Sequence, residues 1–160
     1  MTIFRELGIQ DTKGRLKEEV LYNLAACYSM AEKKINRVLA RHGLSPVKMN
    51  ALLLIKHTGG KEGIAQVEMG KKMIVSAGNI TGLVDRLERE GLARRVPLRG
   101  DRRVNLIRIT RKGSDLLDAV WPKYQEAVNE LFSMIPTQAL SGVRTHLNDI
   151  REKFKRWEAI

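Results

Sequence analysis

Between Arg86 and Lys112 the chain carries ten cationic side chains, nine of them arginine, against only Glu88, Glu90 and Asp101. The chemistry open to such a run is recognition rather than bond making. A guanidinium offers a planar fork of donors that fits phosphate oxygens and base edges, and it enters narrow minor grooves. Just ahead of the run stands Ser76-Ala77-Gly78-Asn79-Ile80-Thr81. Asn79 can bond adenine through two hydrogen bonds, and Thr81 can meet a base edge or a phosphate. Ala77 and Gly78 are small enough to allow a close approach. Ser76 serves equally well as a helix N-cap.

Other chemistries find little support. The sequence has no Gly-rich phosphate loop, no nucleophile elbow, no His-Glu-x-x-His and no carboxylate pair in a catalytic context. An enzyme is therefore not expected, nor is a cofactor. His42, His57 and His146 are scattered, none of them paired at i, i+4, and Cys27 is the only cysteine. That excludes an intramolecular disulfide framework and a cysteine-cluster metal site, so no metal is expected.

The whole chain agrees with the local charge. Its 160 residues hold 29 Lys and Arg against 18 Asp and Glu, a formal net charge of +11. Such an excess points to a polyanion, nucleic acid first and an anionic membrane surface second. Aromatic residues make up only 5%, which argues against a stacking platform for single strands. No apolar run approaches the ~18–20 residues that cross a bilayer. The segment from Met1 to Lys13 has no apolar core of signal-peptide type, and a cytoplasmic location is the expectation.

The elements that must hold these residues follow from periodicity and punctuation. Leu21, Leu24, Tyr28, Ala31, Ile35 and Val38 recur at alternating spacings of three and four, which predicts one long helix over 15–42 with a narrow apolar seam. Ser45-Pro46 opens a second helix to about His57, broken by Gly59-Gly60. A short helix is predicted over 64–73 and another over 76–90, its buried face made of Ile80, Leu83, Val84 and Leu87 and its end at Gly91. Leu92–Pro97 and Val104–Ile109 read as strands joined by a loop of about six residues. Residues 112–135 read as a helix with a kink expected at Pro122. The last helix, from Pro136-Thr137, carries a second narrow seam of Leu140, Val143, Leu147, Ile150, Phe154 and Trp157. A lone helix cannot bury such a stripe, so the two seams are expected to cover each other, within one chain or across a dimer. They are too narrow for a membrane-surface face.

A short helix, a tight link, a second helix and an Arg-rich hairpin together make a winged helix-turn-helix. Here the sequence resembles the MarR family of regulators. The resemblance is strongest over Asn79-Ile-Thr-x-Leu-Val-Asp-Arg-Leu-Glu88, Gly91-Leu92, Asp101-Arg102-Arg103 and Ile109-Thr110-x-x-Gly113, and the helix order extends it over nearly the whole chain. It implies a mainly α fold with a small β-hairpin. A winged module (43–112) is flanked by an N-terminal dimerisation helix (1–42) and C-terminal dimerisation helices (113–160).

The resemblance further implies a homodimer on a near-palindromic promoter site in double-stranded DNA, repressing by occlusion. It places Arg103 in the minor groove, gives Asp101 a neighbouring arginine to pair with, and adds Arg95. With Ser76, Ala77, Gly78, Asn79, Thr81, Arg86, Arg99 and Arg102 these make the expected DNA-binding set. Dimerisation falls to Leu21, Leu24, Tyr28, Leu140, Val143, Leu147, Ile150, Phe154 and Trp157. A small aromatic or anionic effector would meet Tyr22, Met49, Leu53, His57, Trp121 and Tyr124. Some relatives sense peroxides through a first-helix cysteine, which makes Cys27 a redox candidate and a redox-sensing repressor an alternative. Where relatives often carry acidic residues or proline, this chain has Arg94, Leu98, Arg99 and Gly100. A more basic wing should bind DNA tightly and with strong salt sensitivity. A salt-sensitive architectural DNA-binding protein is the other alternative.

Overall fold

The computed structural model of the chain describes residues 2–10, 13–73, 80–98 and 101–158, the side chains of 101–103 and 158 excepted. Its elements are α1 (Ile3–Glu6), α2 (Leu16–Ala40), α3 (Pro46–Gly59), β1 (Ile64–Ala65), α4 (Gln66–Lys72), α5 (Ile80–Arg89), β2 (Ala93–Leu98), β3 (Asp101–Ile109), α6 (Arg111–Phe132) and α7 (Thr137–Glu158). The mainly α fold with a small sheet is the one expected. The chain divides into two compact units, Met1–Ala127 and Val128–Ile160.

Local signals place most of the boundaries in the first unit. Ser45 caps α3, its hydroxyl accepting from the Lys48 N–H at 3.3 Å, with Pro46 in the first turn. Replacing Ser45 by alanine is expected to cost about 1 kcal/mol, read as a small drop in thermal midpoint. α5 ends in a Schellman motif. Gly91 adopts φ +69°, its N–H donates to Glu88 O, and the Leu92 N–H reaches back to Leu87 O at 2.8 Å. A residue with a Cβ would be strained in that left-handed turn, which is why glycine stands there.

The core of this unit is Leu39, Leu44, Met49, Leu52, Ile55, Ile64, Met69, Leu83, Val84, Leu87, Leu92, Ile107, Leu117 and Val120, with Ala51 and Ala93 between them. Of the predicted buried face of α5, Leu83, Val84 and Leu87 are fully buried, and Ile80 packs partly buried against the same core. Burying each large side chain stabilises by about 1.5–3 kcal/mol relative to leaving it in water. That is what seats α5 on the domain and leaves its polar face outward.

Three features depart from the sequence-based expectation. First, Ile64 and Ala65 are not the start of a helix. They form β1, pairing antiparallel with Ile107 and Leu106 and giving the sheet the order β1-β3-β2. A two-residue strand is too short to show alternation, and its partner lies more than 40 residues downstream. Second, the hairpin is tighter than a six-residue loop. Leu98 pairs with Asp101 after a register shift between Pro97 and Leu98, leaving only residues 99 and 100 between the strands. Pro97 is tolerated because β2 is an edge strand. Third, a short α1 precedes the first long helix. Phe4 is fully buried and meets Tyr22 edge-on at 5.8 Å between ring centroids, with the Arg15 guanidinium over its face.

Thr110 and Gly113 join the wing to α6. The Thr110 hydroxyl donates to Gly91 O at 2.7 Å and accepts from the Gly113 N–H at 3.0 Å, capping the helix. Gly113 lies so close to β2 that a Cβ built on it would fall 2.1 Å from Leu92 O. Pro122 lies inside α6. In the second unit, α7 leaves Val143, Leu147, Phe154 and Trp157 exposed. Among the described residues no helix is long and apolar enough to cross a membrane.

Candidate nucleic-acid interface

α4 and α5 form the two helices of the helix-turn-helix. Met69 is buried beneath α4, and a Cβ on Gly70 would come 3.5 Å from Ile80 Cγ1, ordinary van der Waals contact between the two helices. A side-chain tie spans the two first turns, with Gln66 Nε2 donating to Thr81 Oγ1 at 2.8 Å. Thr81 is exposed, and its hydroxyl keeps its own proton for a further acceptor. The N-terminal residues of the expected reading helix, Ser76, Ala77, Gly78 and Asn79, lie outside the described residues, as does Arg99. Of Asp101, Arg102 and Arg103 the backbone is described, as the first residues of β3.

Charge counting across 86–112 treats all ten cations alike, and the structure separates them. Arg86, Arg89 and Arg94 are exposed on α5 and β2, with no carboxylate partner among the described residues. Arg108 is turned away to the loop before β1, donating to Glu62 O at 2.7 Å and pairing with the Glu62 carboxylate at 3.2 Å. Lys112 Nζ donates to Glu90 O at 2.7 Å, a cation at the C-terminal end of α5 where the helix dipole favours one. Lys48 Nζ meets the Glu90 carboxylate at 2.6 Å and the Gly43 carbonyl at 3.3 Å, tying α3 to the same end.

Arg95, expected on the DNA, is engaged within the protein. Its guanidinium meets Asp85 Oδ1 at 2.7 Å and the Glu88 carboxylate, and its backbone N–H donates to Glu88 Oε1 at 2.6 Å. Burial works against its charge, yet the hydrogen bonds and charges of Asp85 and Glu88 outweigh that and hold its pKa above the ordinary arginine value. This could not be read from the sequence, where Asp85 and Glu88 look like the solvated face of a helix.

Two neighbouring cavities take up most of the expected effector residues. Met49, Leu53 and Tyr124 line one of about 250 Å³ between α2, α3 and α6, together with Tyr28, Ile35 and Pro46. Leu53, His57 and Trp121 line another of about 290 Å³, rimmed by Lys56 and Asp118, which pair at 2.7 Å. Trp121 and Tyr124 stack at 5.4 Å between centroids. Tyr22 lies elsewhere, against Phe4. Partial desolvation, then the Glu32 charge and hydrogen bond, raise the Tyr28 phenol above its ordinary pKa. Cys27 is exposed on α2, while the Tyr28 hydroxyl donates to Glu32 at 3.3 Å. Among the described residues no three His, Cys, Asp or Glu side chains converge on a metal position.

Comparison with known proteins converges on one group. The profile of the MarR family matches residues 42–104. The chain is 31% identical over 112 residues to the HTH-type transcriptional regulator MhqR of Bacillus subtilis (strain 168), covering 70% of this chain and 75% of that one. It is 25% identical to the transcriptional activatory protein BadR of Rhodopseudomonas palustris, covering 91% of this chain and 84% of BadR. Among solved structures, CouR from Rhodococcus jostii RHA1, bound to p-coumaroyl-CoA, superposes with a TM-score of 0.71 at 29% identity. That match covers 84% of this chain and 93% of CouR.

Proposed function

This chain belongs to the MarR family of DNA-binding transcriptional regulators, and from that footing we propose that it acts as a cytoplasmic homodimeric repressor. The dimer covers a near-palindromic promoter site and leaves it when a small aromatic or anionic effector binds. The observation that carries the reading is the division of labour among the arginines. Arg86, Arg89 and Arg94 stay exposed on the helix-turn-helix and the first wing strand, while Asp85 and Glu88 are spent on Arg95 and Glu90 on Lys48. In this reading Ser76, Ala77, Gly78, Asn79 and Thr81 meet base edges and phosphates in the major groove. Arg99, Asp101, Arg102 and Arg103 form the tip of the wing.

A second copy of the chain is favoured by the exposed seams. Leu21 and Tyr28 on α2, and Val143, Leu147, Phe154 and Trp157 on α7, are large apolar side chains left in solvent by a single chain. Leu24, Leu140 and Ile150 continue the same stripes half-buried. Seams of this a/d type are covered by another helix. The effector is supported by the cavities that share Leu53, and by CouR, a relative solved with an aromatic acyl-CoA. Activation is a second reading, favoured by the similarity to BadR.

The test is a footprint of the purified protein on the DNA upstream of its own gene, at two salt concentrations. The expected result is protection of a symmetric site whose half-sites lie about one helical turn apart, ~34–36 Å. Uniform protection with no preferred site would overturn the repressor reading and leave a general DNA-coating protein.

A further inference from the structure

Asp85 and Glu88 pose a physical problem. They put two negative charges on the helix that faces a polyanion, where each opposes binding. Both reach the same residue. Asp85 Oδ1 stands 2.7 Å from the Arg95 guanidinium, the Glu88 carboxylate takes the other arm, and Glu88 Oε1 also accepts the Arg95 backbone N–H at 2.6 Å. The Arg95 side chain is 25% exposed, that of Glu88 30% and that of Asp85 49%, so the Glu88 arm is the better shielded of the two. A fork held on both arms has a fixed direction.

The position of this bridge gives it leverage. α5 leads into β2 through the turn at Gly91-Leu92, and the two share the core through Leu83, Val84, Leu87 and Ala93, while the bridge ties their solvent-facing sides. Beyond Arg95, Pro97 donates no ladder hydrogen bond, and the register shifts between Pro97 and Leu98. The outer part of the hairpin is therefore steered from its base. We infer that Arg95 is a positioning residue rather than a phosphate ligand: by bridging Asp85 and Glu88 it sets the angle between α5 and the wing, so that helix and wing reach neighbouring grooves together. The inference rests on the reading of α5 and the wing as the DNA-contacting elements. It explains why Asp85 and Glu88 stand among the arginines of α5 and the wing.

The test compares Arg95→Gln, Arg95→Lys and the double variant Asp85→Asn/Glu88→Gln with the unaltered protein. Each is titrated against the footprinted duplex and a scrambled duplex over a salt series. Positioning predicts that Arg95→Gln and Arg95→Lys each lose about tenfold in preference for the site, with the slope of log K against log salt unchanged. The double variant loses preference as well, although it sheds negative charge beside the DNA. Direct binding of Arg95 to a phosphate predicts the reverse. Arg95→Lys would bind like the unaltered protein, and Arg95→Gln would lower the slope by about 1 for each phosphate no longer neutralised. The double variant would then bind more tightly with its preference intact, and that pattern overturns the inference. A second readout needs no DNA. Amide exchange at Arg94–Val96 should quicken in Arg95→Lys, the milder variant, while that of α3 does not. Unchanged exchange at β2 would overturn the clamp, whether or not the footprint finds a preferred site.

Discussion

Gly113→Ala is expected to destabilise the protein by about 3 kcal/mol, a fall in thermal midpoint of roughly 6–12 °C for a chain of this size. The new methyl carbon would sit 2.1 Å from Leu92 O and 3.0 Å from Ile109 Cγ1. What must yield is the backbone of the turn into β2, which the Thr110 N–H and hydroxyl also bind. A flexible side chain could step aside cheaply, and a backbone carbonyl in a hydrogen-bonded junction cannot. Gly91→Ala is the matched comparison. There the nearest atoms are the end of the Lys112 side chain at 3.8 and 3.9 Å, so the cost is confined to the left-handed backbone at φ +69°, about 1–2 kcal/mol. Thermal unfolding of both variants followed by circular dichroism checks the pair. Equal midpoints for Gly113→Ala and the unaltered protein would mean that α6 does not approach β2 as described.

The second large effect is on binding. Affinity for the promoter site is expected to fall by ~10³–10⁵ between 50 and 200 mM salt, the range for six to ten neutralised phosphates. In the proposed dimer, the exposed Arg86, Arg89 and Arg94 of each protomer would offer about six cations to phosphates, before the wing tip adds its own. The substitutions separate by position. Arg86→Gln should lower the slope of log K against log salt by about 1 for each phosphate left without its cation. Arg108→Gln should leave the slope unchanged, since that side chain is spent on Glu62. Fluorescence anisotropy of a labelled duplex over a salt series reads both. A slope near zero for the unaltered protein would remove phosphate neutralisation as the main source of affinity.

Much of this molecule is written in short-range patterns. The cap at Ser45, the Schellman end at Gly91 and the buried face of α5 depend on residues within one or two turns of each other. Such physics is visible in a linear string. The seams of α2 and α7 are visible for the same reason, as is the clustering of arginine near the helix-turn-helix. Together they carry the family, the winged fold and the class of partner.

Pairing across long sequence separations is not legible in that way. The strand at Ile64–Ala65 exists because Ile107 and Leu106 come alongside it, and two residues alone hold no alternation that would announce a strand. The tight hairpin follows from the register of β2 against β3. Phe4 is fully buried, with Tyr22 and Arg15 against its ring, contacts that a linear string does not announce. The same holds at the interface, where composition counts every arginine as available. Folding alone brings Glu62 to Arg108 and sets Asp85 and Glu88 on Arg95, and an arginine already neutralised by a carboxylate has little left to offer a phosphate. Local order and overall charge therefore follow from residue types and spacing, whereas the choice of which charges face the partner waits on the packing that decides who stands beside whom.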